Sequence, residues 1–315
     1  MASSRLPATL LALLALAVGA RAQSPEPAPV KVFVLAGQSN MQGHGIIAAD
    51  PARNEGRGSL EWLATAPATA DRWGALRDED GGWVVRDDVW IWSLGRHGGL
   101  TAGYGARPEL VGPELGFGTV MGEHFEQPVL IVKVAWGGKS LAVDFRPPSS
   151  GGETGPSYTE LLGHVRETLD AMDTLFPALA ERSWELAGFG WHQGWNDRIN
   201  QEFNDAYEEN LAHLVRDLRR DLGAPGLPFV VAETGMSGHE EEHPRALSLM
   251  RAQAAVAEYP EFAGNVAFVG TRDFFRPKEE SPSGQAYHWN NNAETYTLIG
   301  EGMARALLRL AEERE

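Results

Sequence analysis

The chain has 315 residues, a formal net charge of −16 and no cysteine. The lack of thiols excludes disulfides, thiolate metal sites and a cysteine nucleophile, and a chain of this length can bury a full core without covalent staples. Its acidity disfavours nucleic acid and anionic membrane as partners and suits a neutral substrate, although solubility alone explains such a charge equally well.

At the N-terminus, Arg5, the apolar run Leu10–Val18 and the small-residue ending Ala20-Arg21-Ala22 read as a secretory signal peptide, Met1–Ala22, cleaved before Gln23. The apolar run is too short to span a bilayer. The mature protein is therefore expected to be exported, to a periplasm or the exterior, and to lose the positive charges of Arg5 and Arg21. Residues 23–30 read as a Pro-rich leader and residues 31–315 as one domain.

Within that domain, strand-like runs at Val32–Ala36, Val129–Ala135, Leu186–Trp191, Phe229–Ala232 and Val266–Val269 alternate with helical stretches. The helices are expected at about Glu114–Phe125, Tyr158–Phe176, Glu202–Leu222, Pro244–Glu258 and Ala293–Glu313. Alternation of this kind predicts an α/β fold, a single doubly wound, mainly parallel five-stranded sheet with helices on both faces. The exception is a loop-rich insertion at about 44–111, with a hairpin expected over Trp83–Trp92. Its Trp62, Trp73, Trp83, Trp90 and Trp92 suit the wall of a carbohydrate cleft, where their faces would stack on sugar rings, and equally suit core packing.

The chemistry begins where the first strand ends. Gly37-Gln38-Ser39-Asn40-Met41 puts a serine on a sharp strand-to-helix turn at the carboxyl edge of the sheet, where free N–H groups favour developing negative charge. A serine nucleophile needs a base for its proton and fixed donors for the oxyanion. The second strand ends in Trp136-Gly137-Gly138, a turn whose bare backbone can approach a reacting carbonyl. The third ends in His192-Gln193-Gly194-Trp195-Asn196-Asp197, which brings the amide donor of Gln193 to the same edge, and the loop before the last helix carries His288, well placed for a general base.

Taken in order, these blocks resemble the SGNH hydrolase superfamily, and within it the sialate O-acetylesterase and acetyl xylan esterase group, carbohydrate esterase family six. The resemblance runs from about Lys31 to the last helix. It implies Ser39 as nucleophile, His288 as base, and an oxyanion hole made of the Ser39 and Gly138 N–H groups and the Gln193 side chain, with Asn40, Gly137, His192 and Asp197 in support. It implies an esterase that removes acyl groups, in the first place acetyl, from a carbohydrate, with no metal or organic cofactor. One position departs from the pattern: Gln285 stands three residues before the histidine, where an orienting aspartate is expected. Asp273, Glu280, Glu294, a backbone carbonyl or a bare Ser-His dyad are the alternatives.

Other motifs carry less. His239-Glu240-Glu241-Glu242-His243 fits the zinc-protease string, but Gly238 before it and Pro244 after it break the continuous helix that the motif requires. Met41 replaces the second glycine of a lipase-type nucleophile elbow. A carbohydrate-binding protein without catalysis and a lipid ester or thioester hydrolase are the rival functions; the intact Ser39, Gln193 and His288 set argues against the first.

Overall fold

The computed structural model describes residues 27–313. The signal peptide expected at Met1–Ala22 and the first part of the leader lie outside the described residues. Among them no helix is long and apolar enough to cross a membrane.

Among the described residues seven strands form the central sheet: β1 (Val30–Gly37), β2 (Val89–Ser93), β3 (Arg96–Gly99), β4 (Val129–Ala135), β5 (Trp184–His192), β6 (Phe229–Ala232) and β7 (Val266–Val269). Their order is β3-β2-β4-β1-β5-β6-β7, parallel throughout except for the β2–β3 hairpin. The expected α/β architecture holds, with two strands more than the five expected. Both come from the insertion. No hairpin forms over Trp83–Trp92; instead Val89–Ser93 pairs in parallel with β4 and turns back onto Arg96–Gly99. Val89-Trp90-Ile91-Trp92 is a buried-strand run in its own right, and the turn lies after it, at Leu94-Gly95, both with positive φ.

Among the described residues five long helices cover the sheet: α1 (Pro113–His124), α2 (Pro156–Asp170), α3 (Tyr207–Asp221), α4 (Pro244–Ala257) and α5 (Ala293–Glu312). The period-2 alternation of β1 divides its side chains between two cores. Val32, Val34 and Ala36 pack beneath α2, α3 and α4, whereas Phe33 and Leu35 pack against α1 and α5. The stretch expected as one helix over Glu202–Leu222 breaks at Ala206, and the one over Tyr158–Phe176 breaks at Ala171. Helices α1 and α5 touch backbone to backbone. A Cβ on Gly116 would lie 2.0 Å from the Thr297 carbonyl oxygen, and one on Gly300 would lie 1.9 Å from that of Pro113.

The insertion's tryptophans are spent on packing. Trp73 is buried and Trp62 and Trp83 pack around it in a third apolar cluster, while Trp90 and Trp92 belong to the α2-side core. Apolar area removed from water outweighs an exposed stacking face wherever a core lies within reach.

Candidate active site

The register of three strands makes the site. Gly37 at the end of β1 lies opposite Ala135 of β4 on one side and His192 of β5 on the other, so the chain leaves all three strands at one level. Here strand order reverses about β1, which is where open α/β sheets hold their ligands. A Cβ on Gly37 would meet the His192 carbonyl oxygen at 2.1 Å, so only glycine lets the turn begin this close to β5. Ser39 opens the single helical turn Ser39–Gln42, over the fully buried Met41. Its N–H starts the turn and, among the described residues, has no acceptor; nor has the N–H of exposed Gly138 after β4.

The last block folds back onto this edge. Asn40 donates from Nδ2 to the Tyr287 carbonyl at 3.2 Å and accepts at Oδ1 from the buried Tyr296 hydroxyl at 2.8 Å, fastening the serine turn to the His288 loop and to α5. That loop is strained: Trp289, Asn290 and Asn291 are consecutive left-handed residues with φ of 52°, 54° and 57°. Such conformations cost on the order of 1–3 kcal/mol each and persist where surrounding contacts enforce them. Here Trp289 is fully buried, Asn290 Nδ2 bonds the Arg276 carbonyl and Asn291 Nδ2 bonds that of His44.

Gln285 itself holds His288. Its Oε1 lies 3.2 Å from His288 Nδ1, and its Nε2 bonds the Tyr287 hydroxyl. An amide oxygen accepts only from a protonated Nδ1, which leaves Nε2 with the lone pair a base requires. The acids considered from the sequence have other partners: Asp273 bonds His239 at 2.7 Å and Glu294 bonds Arg276 at 2.7 Å, while at Glu280 it is the backbone carbonyl that accepts from Asn292. Burial, then the neighbouring His44, holds the His288 pKa down at about 4. The rings of His44 and His288 stack with centroids 3.7 Å apart and planes 9° apart.

Gln193 corrects an expectation. Its amide nitrogen faces three acceptors, Asp197 Oδ2 at 2.6 Å, the Lys139 carbonyl at 3.0 Å and Gln38 Oε1 at 3.2 Å, which leaves neither of its two hydrogens for an oxyanion. Gln193 is a buried strut between blocks. Asn196, passed over in the sequence, is the amide nearer solvent; one hydrogen bonds the Gly138 carbonyl at 2.8 Å and its other has no acceptor among the described residues. Asp197 accepts from the Leu141 and Ala142 N–H groups at 2.8 and 2.9 Å as well as from Gln193, and so shapes the chain after Gly138. Burial raises its pKa to about 6 against these donors. His192 is wholly buried beneath the serine turn, its pKa held down at about 4 by burial, and Gly137 is exposed beside Gly138.

A cavity of about 440 Å³ opens beside His288, lined by His44, Ile46, Arg107, Leu110, Gln285 and Asn291 among others. Both ends of the insertion thus wall the site, though its tryptophans do not. The exposed aromatic at the rim is Tyr287, 41 % exposed, against Trp195 at 5.6 Å between centroids. Behind the turn lies a buried ion pair. Lys133 Nζ reaches Glu114 at 2.6 Å and the Gln42 and Tyr104 carbonyls at 2.7 Å each, and Glu114 also accepts from the Gly112 N–H. Its signal in the sequence is a single lysine inside the apolar run of β4. The zinc-protease string forms no continuous helix: a short 3-10 turn, Gly238–Glu240, takes its first two residues, His239 ends up on Asp273, and His243 caps α4.

A family model for carbohydrate esterases, the sialic acid-specific acetylesterases, matches residues 29–309. The chain belongs to this family. The esterase is 26 % identical over 220 residues to a probable carbohydrate esterase of Arabidopsis thaliana, At4g34215, across 69 % of this chain and 73 % of that one. The crystal structure of that plant protein superposes with a TM-score of 0.59 at 18 % identity, covering 89 % of the esterase and 98 % of the plant chain. NanS aligns with a TM-score of 0.57 at 16 % identity over 92 % of this chain and 99 % of its own. XAC1771, a carbohydrate acetylesterase from Xanthomonas citri, aligns with 0.54 at 16 % over 90 % of this chain and 56 % of its own. At these identities the solved structures show a common fold. The family membership makes the protein a carboxylic ester hydrolase.

Proposed function

We propose that the esterase is exported and removes O-acetyl groups from a carbohydrate through an acyl-enzyme on Ser39. The observation that carries this reading is the in-register ending of β1, β4 and β5, with Asn40 fastened to the His288 loop: one edge presents a serine, a neutral histidine and uncommitted N–H groups. Ser39 Oγ attacks the ester carbonyl while His288 Nε2 takes its proton. The tetrahedral oxyanion rests on the N–H groups of Ser39 and Gly138 and the second amide hydrogen of Asn196. His288 returns the proton to the sugar oxygen as the C–O bond breaks. It then takes a proton from water, whose oxygen attacks the acyl carbon, and gives that proton to Ser39 as acetate leaves. In the free enzyme Ser39 and His288 share no hydrogen bond, and such contacts commonly tighten only on substrate binding. The relatives' printed activities, carbohydrate esterase and carbohydrate acetylesterase, support the substrate class.

The test is a fluorophosphonate probe together with acetate release from acetylated glycans. Labelling of the folded protein that vanishes in Ser39→Ala, with acetyl preferred over long acyl chains, is the expected result. A folded protein that neither labels nor turns over an aryl acetate sinks the proposal. A second expectation concerns pH. Because His288 stays neutral down to about pH 4, kcat/KM should hold on acidification until near that value and fall below it as the base is protonated. In Gln285→Glu a carboxylate beside Nδ1 favours the imidazolium, and the acid limb should move upward by about 1 unit or more. A wild-type limb at the ordinary histidine value of roughly 6.5 contradicts the buried, neutral base.

A further inference from the structure

A histidine ring has two freedoms to lose before Nε2 points in one direction: its plane, and its rotation within that plane. The Gln285 oxygen on Nδ1 settles only the second, and an uncharged amide settles it weakly. The plane is set by something else. His44 lies parallel over His288 at 3.7 Å, and its ring nitrogens make no hydrogen bond among the described residues, so the ring acts through its face.

The backbone that carries His44 is tied down from three sides. Lys133 holds the Gln42 carbonyl, Ala106 N–H holds the Gly43 carbonyl at 2.9 Å, and Asn291 Nδ2 holds the His44 carbonyl at 2.9 Å. Because His44 follows the nucleophile by five residues, the same rigid tract carries the serine and the surface against which the base rests.

We propose that His44 is a positioning residue that fixes the plane of the His288 ring, sharing with Gln285 the orienting work for which the expected aspartate is absent. This inference rests on the Ser39–His288 reading above. The charged and titratable groups around the pair are Arg107, lining the same cavity, Tyr287 on the His288 loop, Tyr296 of α5, whose hydroxyl meets the His44 backbone, and Lys133 behind the turn; among the described residues no carboxylate lines the cavity. Burial, then Arg107 and Lys133, holds the His44 pKa down at about 4, so it stays neutral while His288 works. A neutral ring stacks on the base without repelling it, and its bulk excludes water from one face.

Steady-state kinetics on an aryl acetate test this with His44→Ala and His44→Phe, both checked for native circular dichroism and melting. His44→Ala should lose kcat on the order of 10- to 100-fold, the range that a small misplacement of a reacting group costs, with KM changed less than about threefold. Its acid limb should rise by about a unit as His288 gains water. His44→Phe keeps a flat face and should retain kcat within about threefold, with its limb rising less than in His44→Ala, because water stays excluded and only the charge effect of His44 is lost. Three results overturn the proposal: kcat and limb unchanged in His44→Ala, a rise in KM alone, which marks a substrate contact, or a phenylalanine variant as poor as alanine. Activity that survives Ser39→Ala defeats the underlying reading instead, and the two failures are thereby distinct.

Discussion

Replacement of His288 by alanine is expected to lower kcat for an aryl acetate on the order of 10³-fold or more, with KM within about threefold of wild type, as for a group that acts in the transition state. Gln285→Ala should cost less, because it frees the ring without removing it. The comparison matters because the orienting partner is an amide. In the best-studied triad, replacing the aspartate with its amide costs about 10⁴-fold chiefly by favouring the wrong tautomer. Here the amide presents its oxygen to Nδ1, so the productive tautomer is kept and what is missing is the negative charge that would stabilise an imidazolium. Gln285→Glu should therefore raise kcat near neutral pH while it raises the base's pKa. Activity in His288→Ala within tenfold of wild type places the base elsewhere.

Lys133→Met is expected to destabilise the esterase by about 3–5 kcal/mol, the range for removing one partner of a buried pair. Glu114, with no exposed side-chain surface, keeps only the Gly112 N–H among the described residues, and two partly buried carbonyls lose their donor. In a protein of this size the melting temperature should fall by on the order of 10 °C. A double change to Lys133→Met with Glu114→Leu should recover at least half of the loss, since two apolar groups leave no charge uncompensated. Because one of those carbonyls belongs to Gln42, residual folded Lys133→Met should also show reduced kcat. A melting temperature within about 2 °C of wild type means that Glu114 finds water or a proton at little cost, and the anchor is dispensable.

What was legible in the chain were features whose signal is local. The alternation of apolar strand-like runs with helical stretches announced two covered faces, and the strand ends at Gly37, Ala135 and His192 located the serine, the double glycine and the amide block before any contact was known. His288 was found because one loop precedes the last helix. The hairpin expected over Trp83–Trp92 was set too early and left outside the sheet, and β3 was missed, because the Gly, Asp and Arg content of the stretch reads as loop although Val89–Ser93 is apolar enough to be a buried strand. The five tryptophans of the insertion had no face that composition could reveal, and tertiary packing buried Trp73 and Trp92 and laid the other three against the cores.

The sequence by itself determined the fold class, and it pointed to the edge, the serine and the histidine proposed for the chemistry, because hydrophobic periodicity and turn residues act within a few residues of each other. Only the tertiary structure decided that Gln193 is a strut while Asn196 keeps a free hydrogen, that the amide at Gln285 holds the histidine, that His44 lies flat upon it, and that Lys133 anchors the turn from beneath. Each of these depends on which polar group meets which across strand register and chain reversal. A buried donor must find an acceptor, but nothing along the chain says whose.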